Sequence, residues 1–265
     1  MGDEESAVLL RSDDERGVVT LTLNRPDQFN SLSEELLESL QEQLNGLATD
    51  PAVRVVVLAA NGRAFCAGHD LKQMRANPEE AYYQNLFSRC GKLMQTIMQQ
   101  PQPVIARVHG IATAAGCQLV ASCDLAVAAD SARFAVSGIN VGLFCSTPSV
   151  ALARNVGRKR ALEMLLTGEF IDAAQAVREG LINHAVPAEE LDAAVARLCD
   201  AICAKSAAAI RTGKEMFYQQ LEMGVAQAYQ FAGGVMACNM MHEDAAEGID
   251  AFMQKRKPVW KVPEG

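Results

Sequence analysis

Two short stretches combine small residues with groups suited to chemistry. FCAGHDL (Phe65 to Leu71) and ATAAGCQL (Ala112 to Leu119) each join a β-like run to a helical one. Glycine and alanine at such junctions let backbone N–H groups approach a ligand closely, and the first N–H groups of a helix have no intrahelical acceptor. Two such groups converging from successive strands could bind a developing oxyanion, with the helix N-terminus adding a favourable field. Small residues also serve plain strand-on-helix packing, and one such loop alone would be read that way. The pair in tandem points towards a site.

Few side chains near these junctions are reactive. Gln118 is the one amide in a small, apolar segment, and His69 carries the one imidazole with a pKa suited to proton transfer near neutrality. The reading favoured for His69 is a rim residue whose backbone does the work. Asp70 reads as a local partner for backbone N–H groups, and Asp124, before a strand, as structural. Cys66, Cys117 and Cys145 lie beside the motifs, but no histidine can be assigned to activate them, so they are not read as nucleophiles.

The elements that must position these residues follow from periodicity. GVVTLTL (Gly17 to Leu23) alternates as a first strand, and VRVVVLAA reads as a strand buried on both faces. Between them, Ser31 and Glu34 could form a capping box on a helix with Leu36, Leu37, Leu40 and Leu44 on one face. A long helix is expected from about Glu79 to Gln100, then strands at PVIARV (Pro103 to Val108) and LAVAA (Leu125 to Ala129). This alternation predicts an α/β class with a largely parallel sheet. After Pro148 helix follows helix, with too few strands expected for a second sheet. The division expected is a core over 1–200 and a helical C-terminal region over 201–265.

Composition narrows the function classes. A net charge of −8 argues against nucleic acid or an anionic membrane as the main partner. The apolar region Ile111 to Ala129 is broken by Gln118, Ser122 and Asp124, so no membrane span is expected. The acidic start MGDEES reads as neither a secretory signal nor a transit peptide, although a mature organellar protein would look the same. Eight cysteines without a C-x-x-C pair read as reduced, buried thiols of a cytoplasmic, reducing compartment. Four scattered histidines give a metal site no support.

The motif set as a whole resembles the crotonase, or enoyl-CoA hydratase/isomerase, superfamily. The resemblance rests on NRPDQFNSLS, FCAGHDL, ATAAGCQLVASCDLAVAADSARF, ARNVGRKRALEMLLTGE and EGIDAFMQKRKP, in the family's order over nearly the whole chain. It implies a crotonase-like spiral of ββα units with a C-terminal helical trimerisation region, in a homotrimer or a hexamer of two trimers. It implies an acyl-CoA thioester as partner, with CoA arriving as part of the substrate and no separate cofactor.

By the same resemblance, the backbone N–H groups of His69 and Ala115 hold the thioester oxygen. Family hydratases place one glutamate where Gln118 stands and another where Gly138 stands. A glutamine can orient a water but cannot accept its proton, and glycine offers no group at all. The usual hydratase acid–base pair is therefore not expected. CoA contacts are implied at Phe29, Asn30, Ala67 and Gly68, with Phe252 and Lys255 near the basic run KRKPVWK. The function expected is acyl-CoA binding with enolate stabilisation. The alternatives are a carboxyacyl-CoA decarboxylase and a non-catalytic acyl-CoA binding protein.

Overall fold

The fold is that of a computed structural model describing residues 7–261, so MGDEES and residues 262–265 lie outside the described residues. In chain order the strands are β1 (Leu9–Asp13), β2 (Val18–Leu23), β3 (Val55–Ala60), β4 (Ala64–Cys66), β5 (Val104–Val108), β6 (Ile111–Thr113), β7 (Leu125–Ala129), β8 (Arg133–Ala135), β9 (Ile171–Asp172) and β10 (His184–Val186). The helices are α1 (Glu34–Ala48), α2 (Leu71–Ala76), α3 (Glu80–Gln99), α4 (Ala115–Ser122), α5 (Ser146–Asn155), α6 (Arg158–Thr167), α7 (Ala173–Arg178), α8 (Leu191–Cys203), α9 (Ala207–Gln220), α10 (Val225–Met240) and α11 (Glu243–Met253).

The larger sheet runs β1-β2-β3-β5-β7-β10, parallel except for the β1–β2 hairpin. Strand alternation splits its residues between two cores. Val55, Val57, Ile105, Val127 and Ala129 meet Leu191, Val195 and Cys199 of α8. Val56, Leu58, Val104, Ala106 and Ala128 turn instead to the main core with α1, α3 and α4. A strand apolar on both faces is what this sandwiching between helices demands.

The smaller sheet, β4-β6-β8-β9, explains how the junction loops are built. Each turn of the spiral gives one strand to the large sheet, a short strand to the small sheet, and then helix: β3, β4 and α2; β5, β6 and α4; β7, β8 and α5. The parallel β4–β6 pair therefore sets the two small-residue loops side by side.

Three expectations need correction. Among the described residues a strand, β1, precedes the one read as the first. A second sheet exists, and the segment after Pro148 supplies its edge, β9, as well as β10 of the large sheet; strands of two or three residues are too short to show a period. The cap of α1 is Ser33, whose Oγ accepts from Leu36 N at 3.2 Å. Ser31 stays outside the helix because the next residue, Leu32, pairs as extended chain with His69.

Candidate active site

The first loop leaves β4 at Cys66. Ala67 N donates to Phe29 O at 3.0 Å, and Gly68 takes φ +92°, a conformation that only glycine holds easily. Leu32 N donates to Gly68 O at 2.7 Å and Asp70 N donates to Leu32 O at 3.3 Å, forming a parallel bridge opposite His69. In such a bridge the facing residue turns its own N–H and C=O away from the partner strand. The His69 N–H is thus directed off the Leu32 side.

The second loop leaves β6 through Ala114, held at φ 51° and ψ −123°. That is a strained setting for a residue with a Cβ, of the kind that clusters at functional sites. Ala114 N is fixed by Ala135 O at 3.0 Å, and the first bond of α4 runs from Gln118 N to Ala114 O at 3.1 Å. The Ala115, Gly116 and Cys117 N–H groups precede that bond and have no helical acceptor. Glycine at 116 lets this turn lie against the Cys66 carbonyl, where a Cβ would collide. A Cβ on Gly68 would stand 2.8 Å from Ala114 Cβ and 3.2 Å from Ala115 N. The loops of His69 and Ala115 therefore meet at Gly68.

Apart from the Asp70–Arg25 ion pair, the side chains with reactive groups at this meeting point, His69, Gln118, Cys66 and Cys117, are neutral. His69 is edge-on to Phe87 with ring centroids 5.4 Å apart, and neither ring nitrogen has a hydrogen-bond partner. Burial pushes its pKa down to about 4, offset only in part by the Leu32 backbone, so the ring is uncharged near neutrality. Gln118 is 4% exposed with Oε1 unpartnered, on a helix whose eight residues are all buried. Burial raises the Cys66 and Cys117 thiols to about 12, which leaves them protonated.

Gly138 lies in the 3₁₀ turn Ser137–Val141, where its N–H points at Cys145 Sγ at 3.3 Å. A Cβ there would be 2.5 Å from Leu143 O and 2.8 Å from Cys145 Sγ. The space beside Gly138 is occupied by the chain itself. Thr113 Oγ1 and Ser137 Oγ, 2.7 Å apart, link β6 to this turn.

The other expected positions divide into two groups. Phe29 and Asn30 sit consecutively at φ 52° and 53° beside Ala67 and Gly68. Phe29 is half exposed under the Arg63 guanidinium, 5.1 Å from the ring centroid. Asn30 is fully buried, with Nδ2 donating to Asn61 O and Ala64 O and Oδ1 accepting from Arg25 N, so its amide knots the loop. Phe252 lies in the last turn of α11 and Lys255 two residues beyond it, and α11 packs on α9 and α10. Lys255 takes φ 55° and both side chains face solvent. In the basic run, Arg256 is held by Glu247 and Lys261 by Glu243, whereas Lys255 and Lys257 make no ion pair among the described residues.

Asp70 binds backbone N–H groups, as read, and Asp124, read as structural, does so too. Asp70 Oδ1 caps α2 at Lys72 N and Gln73 N, and Asp124 Oδ2 accepts from Val104 N at 2.6 Å. Asp124 also binds Lys214 Nζ at 2.5 Å and the Tyr218 hydroxyl at 2.9 Å, tying α9 to the core. Two features escaped the reading of the sequence. Tyr83 and Phe87 stack along α3 beside His69, and their spacing of four was the available signal. Arg25, in the stretch NRP, reaches Asp70 across 45 positions, and nothing local announces that contact.

The spiral of ββα units with paired backbone-rich loops defines a crotonase-fold protein. The family model for enoyl-CoA hydratase/isomerase matches residues 13–263, and the chain belongs to that family. It is 48% identical over 246 residues to the mitochondrial enoyl-CoA hydratase domain-containing protein 3 of Xenopus laevis, covering 93% of this chain and 84% of the relative. The crystal structure of an enoyl-CoA hydratase from Mycobacterium smegmatis superposes with a TM-score of 0.95 at 60% identity, covering 96% of this chain and 98% of that one. The crystal structure of human enoyl coenzyme A hydratase domain-containing protein 3 gives 0.93 at 45% identity, covering 96% and 100%.

Proposed function

We propose that the protein binds an acyl-CoA thioester and polarises its carbonyl with the N–H groups of His69 and Ala115, stabilising an enolate. The observation that carries this reading is the convergence at Gly68, where a bridge-facing peptide and a helix N-terminus are set together by a positive-φ glycine and a strained alanine. Donors fixed before the reaction cost no reorganisation when charge develops on the thioester oxygen. Gln118 orients the acyl group or a water through its amide and does not take up a proton. The Phe29 loop and the Ala67–Gly68 backbone receive the CoA moiety, and Lys255 with Phe252 supplies a cation and an apolar face for its phosphates and adenine.

In this reading the last residues of the site come from an assembly. Helix α10 buries none of its side chains, and Val225, Tyr229 and Met236 are each more than 70% exposed. An apolar face of that kind suits a homotrimer, alone or paired as a hexamer. We infer a reducing compartment, cytoplasmic or matrix-like, which suits its eight free cysteines, six of them buried and Cys203 and Cys238 reaching the surface. Among the described residues no helix is long and apolar enough to cross a membrane.

A second reading, a binding protein without turnover, is favoured by the neutral His69 and Gln118 side chains and the filled space at Gly138. A panel of acyl-CoAs, including crotonyl-CoA and a carboxyacyl-CoA, separates the readings by titration and by mass spectrometry over time. Binding with deuterium entering Cα from solvent, or with loss of carbon dioxide, supports enolate chemistry. Binding with neither leaves the non-catalytic reading. Failure to bind any CoA ester sinks both.

A further inference from the structure

The peptide that carries the His69 N–H is held by less than it first shows. Its bridge to Leu32 is isolated, with one bond of 2.7 Å and one of 3.3 Å. A single bridge is a poor way to fix a donor's direction, because it lacks the neighbouring rungs that stiffen a sheet. The bonds from Ala67 N to Phe29 O and from Asn30 Nδ2 to Ala64 O join the same two loops on the β4 side. On the α2 side the reinforcement next to the bridge is a side chain. Arg25 Nη1 donates to Ser31 O at 2.7 Å and to Ser31 Oγ at 3.1 Å, while Nη2 donates to Asp70 Oδ2 at 3.1 Å. Ser31 precedes Leu32 and Asp70 follows His69, so the guanidinium crosses the parallel bridge diagonally and ties the two strands together.

We propose that Arg25 is a positioning residue that sets the direction of the His69 N–H by locking the Leu32–His69 bridge through Ser31 and Asp70. The inference rests on the thioester-binding reading given above. Helix capping does not account for the arrangement, because Asp70 Oδ1 alone meets both Lys72 N and Gln73 N and leaves Oδ2 to Arg25. The partners are largely shielded, with side chains 16% and 12% exposed, so the pair is screened less than a surface one. Burial alone would raise the Asp70 pKa; Arg25 and the two capping N–H groups outweigh it and keep the carboxylate charged. Arg25 is itself anchored, since its N–H donates to Asn30 Oδ1 at 2.8 Å and its carbonyl accepts from Asn30 N at 2.9 Å. Lysine would supply the charge but not the planar fork that reaches both strands.

The test uses the full chain with crotonyl-CoA carrying ¹³C at the thioester carbonyl. Bound to the parent, the carbonyl resonance should move downfield as the two N–H groups polarise it. Arg25→Met should still bind crotonyl-CoA, yet lose most of that displacement, with Arg25→Lys intermediate. For whichever acyl-CoA turns over, kcat should fall by about tenfold with KM little changed, the mark of a misdirected donor. Asp70→Asn, which keeps a capping oxygen and loses the ionic bond, should reproduce the effect and serves if Arg25→Met does not fold. A parent displacement that folded Arg25→Met or Asp70→Asn leaves unchanged overturns the role of Arg25 alone. A parent that binds with no displacement overturns the thioester reading and the role of Arg25 with it.

Discussion

The carbonyl oxygen of Leu143 stands 2.5 Å from the point where a Cβ on Gly138 would lie. Cys145 Sγ, 2.8 Å from the same point, closes the other approach. Any side chain here must push back a backbone atom, so Gly138→Ala should destabilise by about 1–3 kcal/mol, as overpacking does. Gly138→Glu should cost more and should not create hydratase activity, even beside Gln118→Glu. Urea unfolding and crotonyl-CoA hydration assays check the two halves. A stable, active double variant would show that the 143–145 segment yields easily.

Gly68→Ala tests the meeting of the two loops. The added methyl would press on Ala114 Cβ and approach Ala115 N, at a φ that alanine resists. Loss of one aligned donor is worth ~10²–10³ in rate. We expect turnover of any processed acyl-CoA to drop within that range in a protein that still unfolds cooperatively. Unchanged kinetics would remove the loop from the reaction.

His69 links the site to acid stability. Its folded-state pKa of about 4 lies below the ordinary 6.5, so between those values the unfolded chain holds a proton that the native ring does not. Stability therefore rises with pH across that window and is lost as pH falls through it, by roughly 3 kcal/mol in all. His69→Phe should flatten the pH dependence of the unfolding free energy between pH 4 and 6.5. Because the variant keeps its backbone N–H, acyl-CoA binding should survive. An equally steep profile in the variant would assign the effect to other groups.

Lys214 is bound by Asp124, Ile97 O and Gln102 O in the interior. Removing one member of a buried pair strands the other, at a cost of about 3–5 kcal/mol. Lys214→Met should lower the melting temperature accordingly and speed hydrogen exchange in α9. A shift no larger than that of a surface substitution would show that Asp124 is sustained by Val104 N and Tyr218 alone.

Lys255 occupies the left-handed position that closes α11, where Arg256 N donates to Ala251 O at 3.0 Å. Glycine is the residue such a cap prefers. Lys255→Gly should therefore raise stability by about 1 kcal/mol while weakening CoA binding by about tenfold, as expected for one lost charged contact to phosphate. Calorimetric unfolding and titration with a CoA ester should move in opposite senses. Stability gained with affinity unchanged would remove Lys255 from the CoA site.

The sequence made some layers legible and hid others. The valines of 55–57 and the run LAVAA announced strands, and the small residues after Phe65 and Ala112 announced close backbone approach. The cap at Ser33 was displaced by a tertiary demand on Leu32, which no local pattern carries. The second sheet consists of strands too short to show a period, so the spiral could be foreseen only through resemblance. The closure of Gly138 depends on a turn five to seven residues away, and the Arg25–Asp70 contact on two loops meeting across the fold.

Helix α4 presents every one of its residues to the interior, and Gln118 lies within it. Exchanging this amide for a carboxyl group replaces NH₂ by O at nearly constant volume, so packing scarcely registers the change while the proton inventory does. The reverse holds at Gly138, where any exchange is steric before it is chemical. The two positions thus differ in reversibility: one is a near-isosteric toggle inside a rigid axle, the other a ratchet that the neighbouring turn has already clicked shut.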